Sequence, residues 1–347
     1  MSFIIVFGGN SYEHEISIVS AIMMKKHLSN VKAFIFIDSQ SDCYLIPKEN
    51  MKSNHFSSLN YKKDEKVIFV RGGFEVKKFL KSQFIKGIVI NLIHGKSGED
   101  GELSALFEFY SINYIGPRKE ASVISFNKEL SKLFAKSRGV RVLDYEVLRR
   151  DNLDSIHNLE SKLPFILKPA RLGSSIGISI VKHAKDIEYM LDNSFEFDST
   201  LILEHFVSNV REYNLAGFKS KNGFEFSIIE EVQKSEYLNF DKKYLDFGRS
   251  QALKEAQISD CLKSKLRDTF MKIYDNCFEG ALIRCDFFVI DDEVYLNEIN
   301  PIPGSLAYYL FSDFEKCINS LSLNLPKLNR LNIAYKYISK IQSMKGK

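Results

Sequence analysis

The chain has 347 residues, 45% hydrophobic and 27% charged, the proportions of a soluble globular protein with room for two or three domains. Its 48 basic and 44 acidic residues leave a net charge of +4, too small and too dispersed for a nucleic-acid surface. Five cysteines without a Cys-x-x-Cys pair, no basic leader and no apolar run near ~20 residues predict free thiols in a cytoplasmic protein that does not cross a membrane.

Residues 3–7 read as a buried strand ending at Gly8-Gly9. A helix over about 15–28, with Ile16, Val19, Ile22 and Met23 on one face, leads into a strand over 31–38, so the opening is a βαβ unit. Residues 39–84 are polar and irregular, with short strand-like pieces. A buried strand over 87–93 runs into His94-Gly95 and a helix over about 102–110. In open α/β sheets ligands bind at the carboxyl ends of strands, where Glu13 and His94 fall. Gly116-Pro117 marks a boundary, after which come a helix over about 127–138 and one strand over 140–148. Strands at 164–170 and 177–181 are joined by a glycine loop, and the strand 201–206 ends at a hinge, Ser208-Asn209. A new antiparallel sheet starts at Arg211, a polar aromatic loop covers 235–251, and a helix over about 258–276 leads to a hairpin. These breaks divide the chain into 1–117, 118–208 and 209–330, with a basic tail at 331–347.

The hairpin, residues 280–306, carries the chemistry. A three-residue turn, Asp291-Asp292-Glu293, pairs Ile290 with Val294, Phe288 with Leu296, Asp286 with Glu298 and Arg284 with Asn300. Alternation sends Ile283, Cys285, Phe287 and Val289 to one face and Arg284 and Asp286 to the other. Two opposed carboxylates on an apolar hairpin call for a cation, and oxygen-only ligands suit Mg²⁺ or Mn²⁺. An edge hairpin with its charges in water is the plain alternative. It must also explain Arg284 and Asn300 on the same face, and the Pro-x-Pro-Gly that follows.

Several common motifs are excluded. Gly95-Lys96-Ser97 lacks the P-loop glycine five positions earlier, where Ile90 stands, and His14-Glu15 lacks the second histidine of a zinc protease, since position 18 is Ile. Gly8-Gly9-Asn10-Ser11 is not a dinucleotide fingerprint, and no serine sits in a G-x-S-x-G elbow. Three features point instead to phosphate. Lys168 ends an apolar strand, where a buried ammonium needs an anion. Gly173-Ser174-Ser175-Ile176-Gly177 offers backbone N–H groups and hydroxyls suited to a triphosphate. Glu204 lies at the hinge, where an acid and a backbone edge suit adenine and ribose.

The ordered set resembles the ATP-grasp superfamily and, within it, the D-alanine–D-alanine ligase family. It comprises residues 8–17 (GGNSYEHEIS), His94-Gly95 with Gly98-Glu99-Asp100-Gly101, Lys168-Pro169, the glycine loop, Lys243-Tyr244, Arg284-Cys285-Asp286, and Asn297-Glu298-Ile299-Asn300 with Pro303-Gly304. The resemblance spans nearly the whole chain. It implies an α/β (α+β) ATP-grasp fold of three domains, the first Rossmann-like, with the nucleotide held between two antiparallel sheets. It implies a cytoplasmic, ATP-dependent ligase that makes D-alanyl-D-alanine through a D-alanyl phosphate for peptidoglycan synthesis, and a homodimer. Carried over, Lys128 and Lys168 bind ATP phosphates with Ser174 and Ser175, Glu204 and the Val207 backbone hold adenine, and Glu212 holds the ribose. Asp286, Glu298 and Asn300 hold two Mg²⁺ (or Mn²⁺) ions, and Arg284 with the Gly304 N–H forms an oxyanion hole. Glu13 pairs with the ammonium of the first D-alanine and His94 contacts its carboxylate region. Ser174 and Tyr244 join Glu13 in a closed network, and Lys243 meets the transferring phosphate.

Departures from the family pattern stand at Leu172, where an acid is usual, and at Pro301–Tyr309. The serine that usually meets the acceptor carboxylate aligns with Tyr309, followed by Leu310, and Ser305 is the available substitute. Two alternatives compete with this reading: a sister ligase using D-lactate or D-serine, against which Tyr244 favours an amine acceptor, and a non-catalytic nucleotide-binding module, against which none of the metal acids or Arg284 is missing.

Overall fold

Five consecutive apolar residues, Phe3 to Phe7, leave no side for water, and β1 (Phe3–Gly8) buries all of them. The computed structural model describes residues 2–77, 82–152, 158–208, 210–232, 255–327 and 332–344. After β1 comes helix α1 (His14–His27), then β2 (Val31–Ile37). Next are β3 (Cys43–Ile46), β4 (Glu65–Val70), β5 (Gly73–Val76), β6 (Gln83–Ile85), β7 (Ile88–Asn91) and β8 (Tyr114–Ile115). They form one sheet in the order β6-β5-β4-β3-β2-β1-β7-β8, in which β1 pairs in parallel with both β2 and β7. The short strand-like pieces of residues 39–84 are four antiparallel strands, the last running on to Ile85. These strands are only three to six residues long, too short for a clear alternation.

The stretch expected as one strand over 140–148 is two. β9 (Arg141–Val142) and β10 (Tyr145–Arg149) go to different sheets. β10 pairs with β13 (Thr200–His205), which pairs with β11 (Phe165–Pro169) and through it β12 (Ser179–Val181), in a four-stranded antiparallel sheet. β9 lies parallel to β17 (Glu293–Asn300) at the edge of a five-stranded sheet. That sheet continues through β16 (Ile283–Ile290), β14 (Arg211–Ser220) and β15 (Gly223–Glu231). Leu143 and Asp144 bridge the two sheets, and Leu143 lines the space between them.

The helix Lys128–Ser137 packs on β17 and β9. Asn127 caps it, accepting from Glu129 N at 2.9 Å, and Lys128 N donates to Ala170 O at 2.8 Å. The helix start is thereby tied to the end of β11.

The β16–β17 hairpin is a correction with an instructive cause. Its turn has two residues, Asp291 and Asp292, at φ 50° and 59°, so Ile290 pairs with Glu293 and Phe288 with Tyr295. The ladder then shifts between Phe287 and Asp286, leaving Asn297 as an extra bulged residue. Beyond the bulge, Asp286 faces Glu298 and Arg284 faces Asn300, as expected from the sequence. Ile283, Cys285, Phe287 and Val289 are buried in one cluster, again as alternation requires.

The segment after Asn300 returns to the first sheet. Ile302, Leu306, Ala307 and Leu310 pack with Phe3, Ile18, Ala21 and Met24, and with Ala216 and Phe218 of β14. Ser305, Leu306 and Ala307 are left-handed in succession, at φ 48°, 52° and 51°. For residues with a Cβ this costs roughly 1–2 kcal/mol each, so the turn depends on the packing around it.

Candidate active site

A cavity of about 390 Å³ lies between the four-stranded and five-stranded sheets. Ile166, Ile180, Phe206 and Phe288 make its apolar walls, and Lys128, Lys168, Ser175, Val207 and Glu212 also line it, as do Glu204, Asp286 and Glu298. A slot of this kind, with apolar walls and a few charged groups, suits a base and its phosphates.

Glu204 is buried, 1% exposed, at the end of β13. Lys168 Nζ donates to its Oε2 at 2.6 Å, and Lys132 pairs with its Oε1. Burial pushes the carboxyl up, but Lys168 and Lys132 together outweigh it and hold the group at about 2. Lys168 also donates to Asn297 Oδ1 at 3.1 Å, so the bulge residue of one sheet meets the lysine of the other. Lys132 is held below its ordinary range by burial, against the opposing pull of Glu204. The sequence reading gives Lys132 no part and Asn297 only a place in the family motif. Signals exist for both: Lys132 falls one turn after Lys128 on the same helix face, and Asn297-Glu298 puts two polar residues in succession where alternation allows one.

Lys128 Nζ lies 3.1 Å from Glu298 Oε1 and donates to the Leu172 carbonyl at 2.5 Å, at the mouth of the glycine loop. Arg284 grips Asp286 side-on, Nε to Oδ1 at 2.7 Å and Nη2 to Oδ2 at 2.9 Å. Asn300 Nδ2 donates to Asp286 Oδ2 at 3.0 Å. Burial opposes the charge on Arg284, but Asp286 overrides it and keeps the guanidinium ionised. Arg284 Nη1 also donates to Tyr309 OH at 3.3 Å.

Glu13, at the start of α1, is buried, and Ser174 of the glycine loop donates to its Oε1. Among the described residues no hydrogen-bond donor meets its Oε2. Burial raises the carboxyl above its usual range, partly offset by the Ser174 bond, and Glu298 adds to the rise. Gly173 runs so close that a Cβ there would sit 3.1 Å from both Glu13 oxygens, and a Cβ on Gly95, whose φ is 71°, would be 2.8 Å from Oε2. Glu99, half-buried, takes the Gly95 N–H at 3.1 Å and is pushed well above the carboxylate range by desolvation and then by Glu13.

His94 is buried behind this point. Its Nε2 is 3.1 Å from Ser20 Oγ, and burial lowers it to about 4, leaving a neutral ring. Ser305 is 1% exposed and faces inward, its N–H donating to Ser20 Oγ at 3.1 Å. Leu310 is buried in the core, while Tyr309 reaches toward Arg284 and Gly304 opens the left-handed turn. Lys243 and Tyr244 lie outside the described residues.

Two facing β-sheets with lysines, acids and a glycine loop between them, behind a Rossmann-like first unit, define an ATP-grasp protein. Residues 2–117 match the family model described as D-ala D-ala ligase N-terminus, and residues 134–328 match D-ala D-ala ligase C-terminus. The chain belongs to the D-alanine–D-alanine ligase family. It is 55% identical over 350 residues to the D-alanine–D-alanine ligase of Campylobacter jejuni and 54% identical over 353 residues to that of Helicobacter hepaticus, with both chains covered in full in each case. The crystal structure of the Helicobacter pylori D-alanine–D-alanine ligase superposes with a TM-score of 0.85 at 46% identity, covering 94% of this chain and 99% of that one. The D-Ala:D-Ser ligase of Enterococcus faecalis, 23% identical with a TM-score of 0.75, shares the fold.

Proposed function

We infer that the chain joins two molecules of D-alanine at the expense of ATP, through a D-alanyl phosphate, to supply the dipeptide for peptidoglycan synthesis. The observation that carries this reading is the contact of Ser174 with Glu13. It sets a buried acid, one oxygen of which meets no donor among the described residues, against the loop that wraps the phosphates. A substrate ammonium satisfies that oxygen and leaves the substrate carboxylate turned toward the phosphate.

In this reading Lys128 and Lys168 exchange Glu298 and Glu204 for phosphate oxygens, while Glu204, Val207 and Glu212 hold adenine and ribose. Phosphorylation turns a poor electrophile into an acyl phosphate, and Arg284 with the Gly304 N–H stabilises the oxyanion formed when the second amine attacks. The residues fit a hard cation. Asp286 and Glu298 oppose each other across two strands with Asn300 beside them, and the set contains no nitrogen or sulfur ligand. These three side chains would hold two Mg²⁺ (or Mn²⁺) ions, with phosphate oxygens and water completing the coordination. Bound Mg²⁺ neutralises phosphoryl charge. Lys243, Tyr244 and Ser174 would close the site over both substrates, and Tyr244 favours an amine over D-lactate as acceptor. D-Serine remains the alternative acceptor.

Purified protein with ATP, Mg²⁺ and D-alanine is expected to release phosphate and a D,D-dipeptide. Phosphate release with another amino acid, and none with D-alanine, overturns the reading. We further propose a homodimer in the cytoplasm, divided at about residues 117 and 208. Among the described residues no helix is long and apolar enough to cross a membrane. Light scattering at twice the chain mass of 40.0 kDa is the expected result for the dimer.

A further inference from the structure

We propose that Ser20 positions the acceptor half of the active site by holding, through its hydroxyl, the left-handed turn that follows Gly304. This rests on the ligase reading above and names a residue to which that reading gives no part.

Helix α1 advances about 100° per residue, so Glu13, Ser17 and Ser20 fall in one narrow stripe. The stripe faces the end of β7 and the segment after Asn300. Glu13 meets the glycine loop at one end. Ser17 accepts the Gly8 N–H at 2.8 Å and donates to Leu92 O at 2.6 Å, which ties α1 to its own sheet. Ser20, fully buried, reaches the other way. Its Oγ accepts the Ser305 N–H at 3.1 Å, lies 3.5 Å from Ser305 Oγ, and is 3.1 Å from His94 Nε2. The backbone of Ile302 also acts on the His94 ring, so Ser20 and His94 meet the chain on either side of Gly304.

The turn needs such support. Ser305, Leu306 and Ala307 are left-handed in succession without a glycine among them, a conformation that persists only where the surroundings over-determine it. Within the turn Leu306 N bonds back to Pro303 O at 2.7 Å, and among the described residues Ser20 supplies the side-chain hydrogen bond to its backbone. Without the Ser20 hydroxyl, the buried Ser305 N–H loses its acceptor. The turn leads directly to Tyr309, whose hydroxyl meets Arg284. Its displacement therefore moves the side of the site where the second amino acid must dock. The donor acid, at the far end of α1, is held by Ser174 and crowded by Gly173 and not by the turn, and the lysines stand on β11 and the helix 128–137.

The test is Ser20→Ala in the full chain, with donor and acceptor steps read separately. Hydroxylamine intercepts an acyl phosphate and needs no carboxylate site, so D-alanyl hydroxamate reports the donor half, and dipeptide formation reports both. The expected result is an acceptor KM raised on the order of tenfold, the size expected for orphaning one buried N–H. The hydroxamate rate should stay within about twofold, and the donor KM, which also senses the Ser20 contact with His94, should rise much less than the acceptor KM. Ser17→Ala, which loses two buried hydrogen bonds on the same stripe, should lower the Tm without splitting the two KM values. Should Ser20→Ala fail to fold, Ser20→Thr and Ser20→Val decide, because they differ only in the hydroxyl. Thr should keep a lower acceptor KM than Val. Equal rises in donor and acceptor KM, or identical Thr and Val variants, overturn the positioning role. A wild-type chain that forms neither hydroxamate nor dipeptide overturns the ligase reading, and the part of Ser20 with it.

Discussion

Asn297 is the residue that β17 has in excess of β16, and its side-chain oxygen accepts a hydrogen bond from Lys168 Nζ at 3.1 Å across the cavity. A bulge is a means of re-aiming a side chain, and here it also restores the register that puts Glu298 opposite Asp286. Asn297→Ala should therefore fold normally and raise the ATP KM by roughly fivefold, the equivalent of one hydrogen bond of about 1 kcal/mol. Deleting residue 297 is a harsher change, since a one-residue slip moves Glu298 and Asn300 to the opposite face. That variant should show no turnover in a phosphate-release assay. Activity in the deletion variant would mean that the bulge does not set the register.

Glu204 joins two lysines from different elements, Lys132 on the helix 128–137 and Lys168 on β11. Glu204→Gln leaves two buried ammonium groups without their counter-charge, which should cost about 3–5 kcal/mol in urea unfolding without nucleotide. Acid should act in the same direction. The folded carboxyl titrates at about 2, below its ordinary 4.5, so its stabilisation is complete above about 4.5 and is lost as pH falls toward 2. The wild type should lose stability more steeply over that range than Glu204→Gln, and parallel curves would contradict the pairing.

His94 tests the same sign of linkage in a higher pH window. Burial lowers its folded value to about 4 from an ordinary 6.5, so the unfolded chain binds the extra proton first. Stability from this group is complete above about 6.5 and is lost as pH falls toward 4. In NMR the His94 ring should remain neutral from pH 8 to 5, and His94→Gln should flatten the stability profile between 6.5 and 4. A ring that titrates near 6.5 would show that the site is wetter than the packing implies.

Arg284 stands between Asp286 and Tyr309, two electron-rich partners that leave the guanidinium fixed in place. If it stabilises the developing oxyanion, Arg284→Ala should bind ATP within a few-fold of the wild type. Its kcat should fall by roughly 10²–10³, the usual loss for one oxyanion donor. Calorimetry with a non-hydrolysable ATP analogue, set beside the dipeptide assay, separates the two effects. A variant that loses ATP binding and turnover in equal measure would assign Arg284 to the nucleotide instead.

Much of the site could be read before the fold was known, for local reasons. Alternation along 283–290 sorts a core face from a chemical one without reference to any other element, and the turn error near Asp291 is absorbed by the bulge before it reaches Asp286. The stretch 140–148 has the pattern of one strand although its two halves serve different sheets, because nothing within nine residues records which partner each half meets. The strands of residues 39–84 were too short to show a period.

By itself, then, the sequence determined the elements and the chemistry that periodicity expresses: the buried β1, the paired acids of the hairpin beside Arg284, the glycine loop and the ordered motifs of the family. Only the tertiary structure decided the pairings that join elements far apart in the chain, Lys132 and Lys168 on Glu204, Asn297 on Lys168, Ser174 on Glu13 and Ser20 on Ser305. The reason is physical. Whether a lysine or a serine is buried, and what then satisfies it, depends on which surfaces the folded chain presses together, and a polar residue carries no local mark of the partner it will meet.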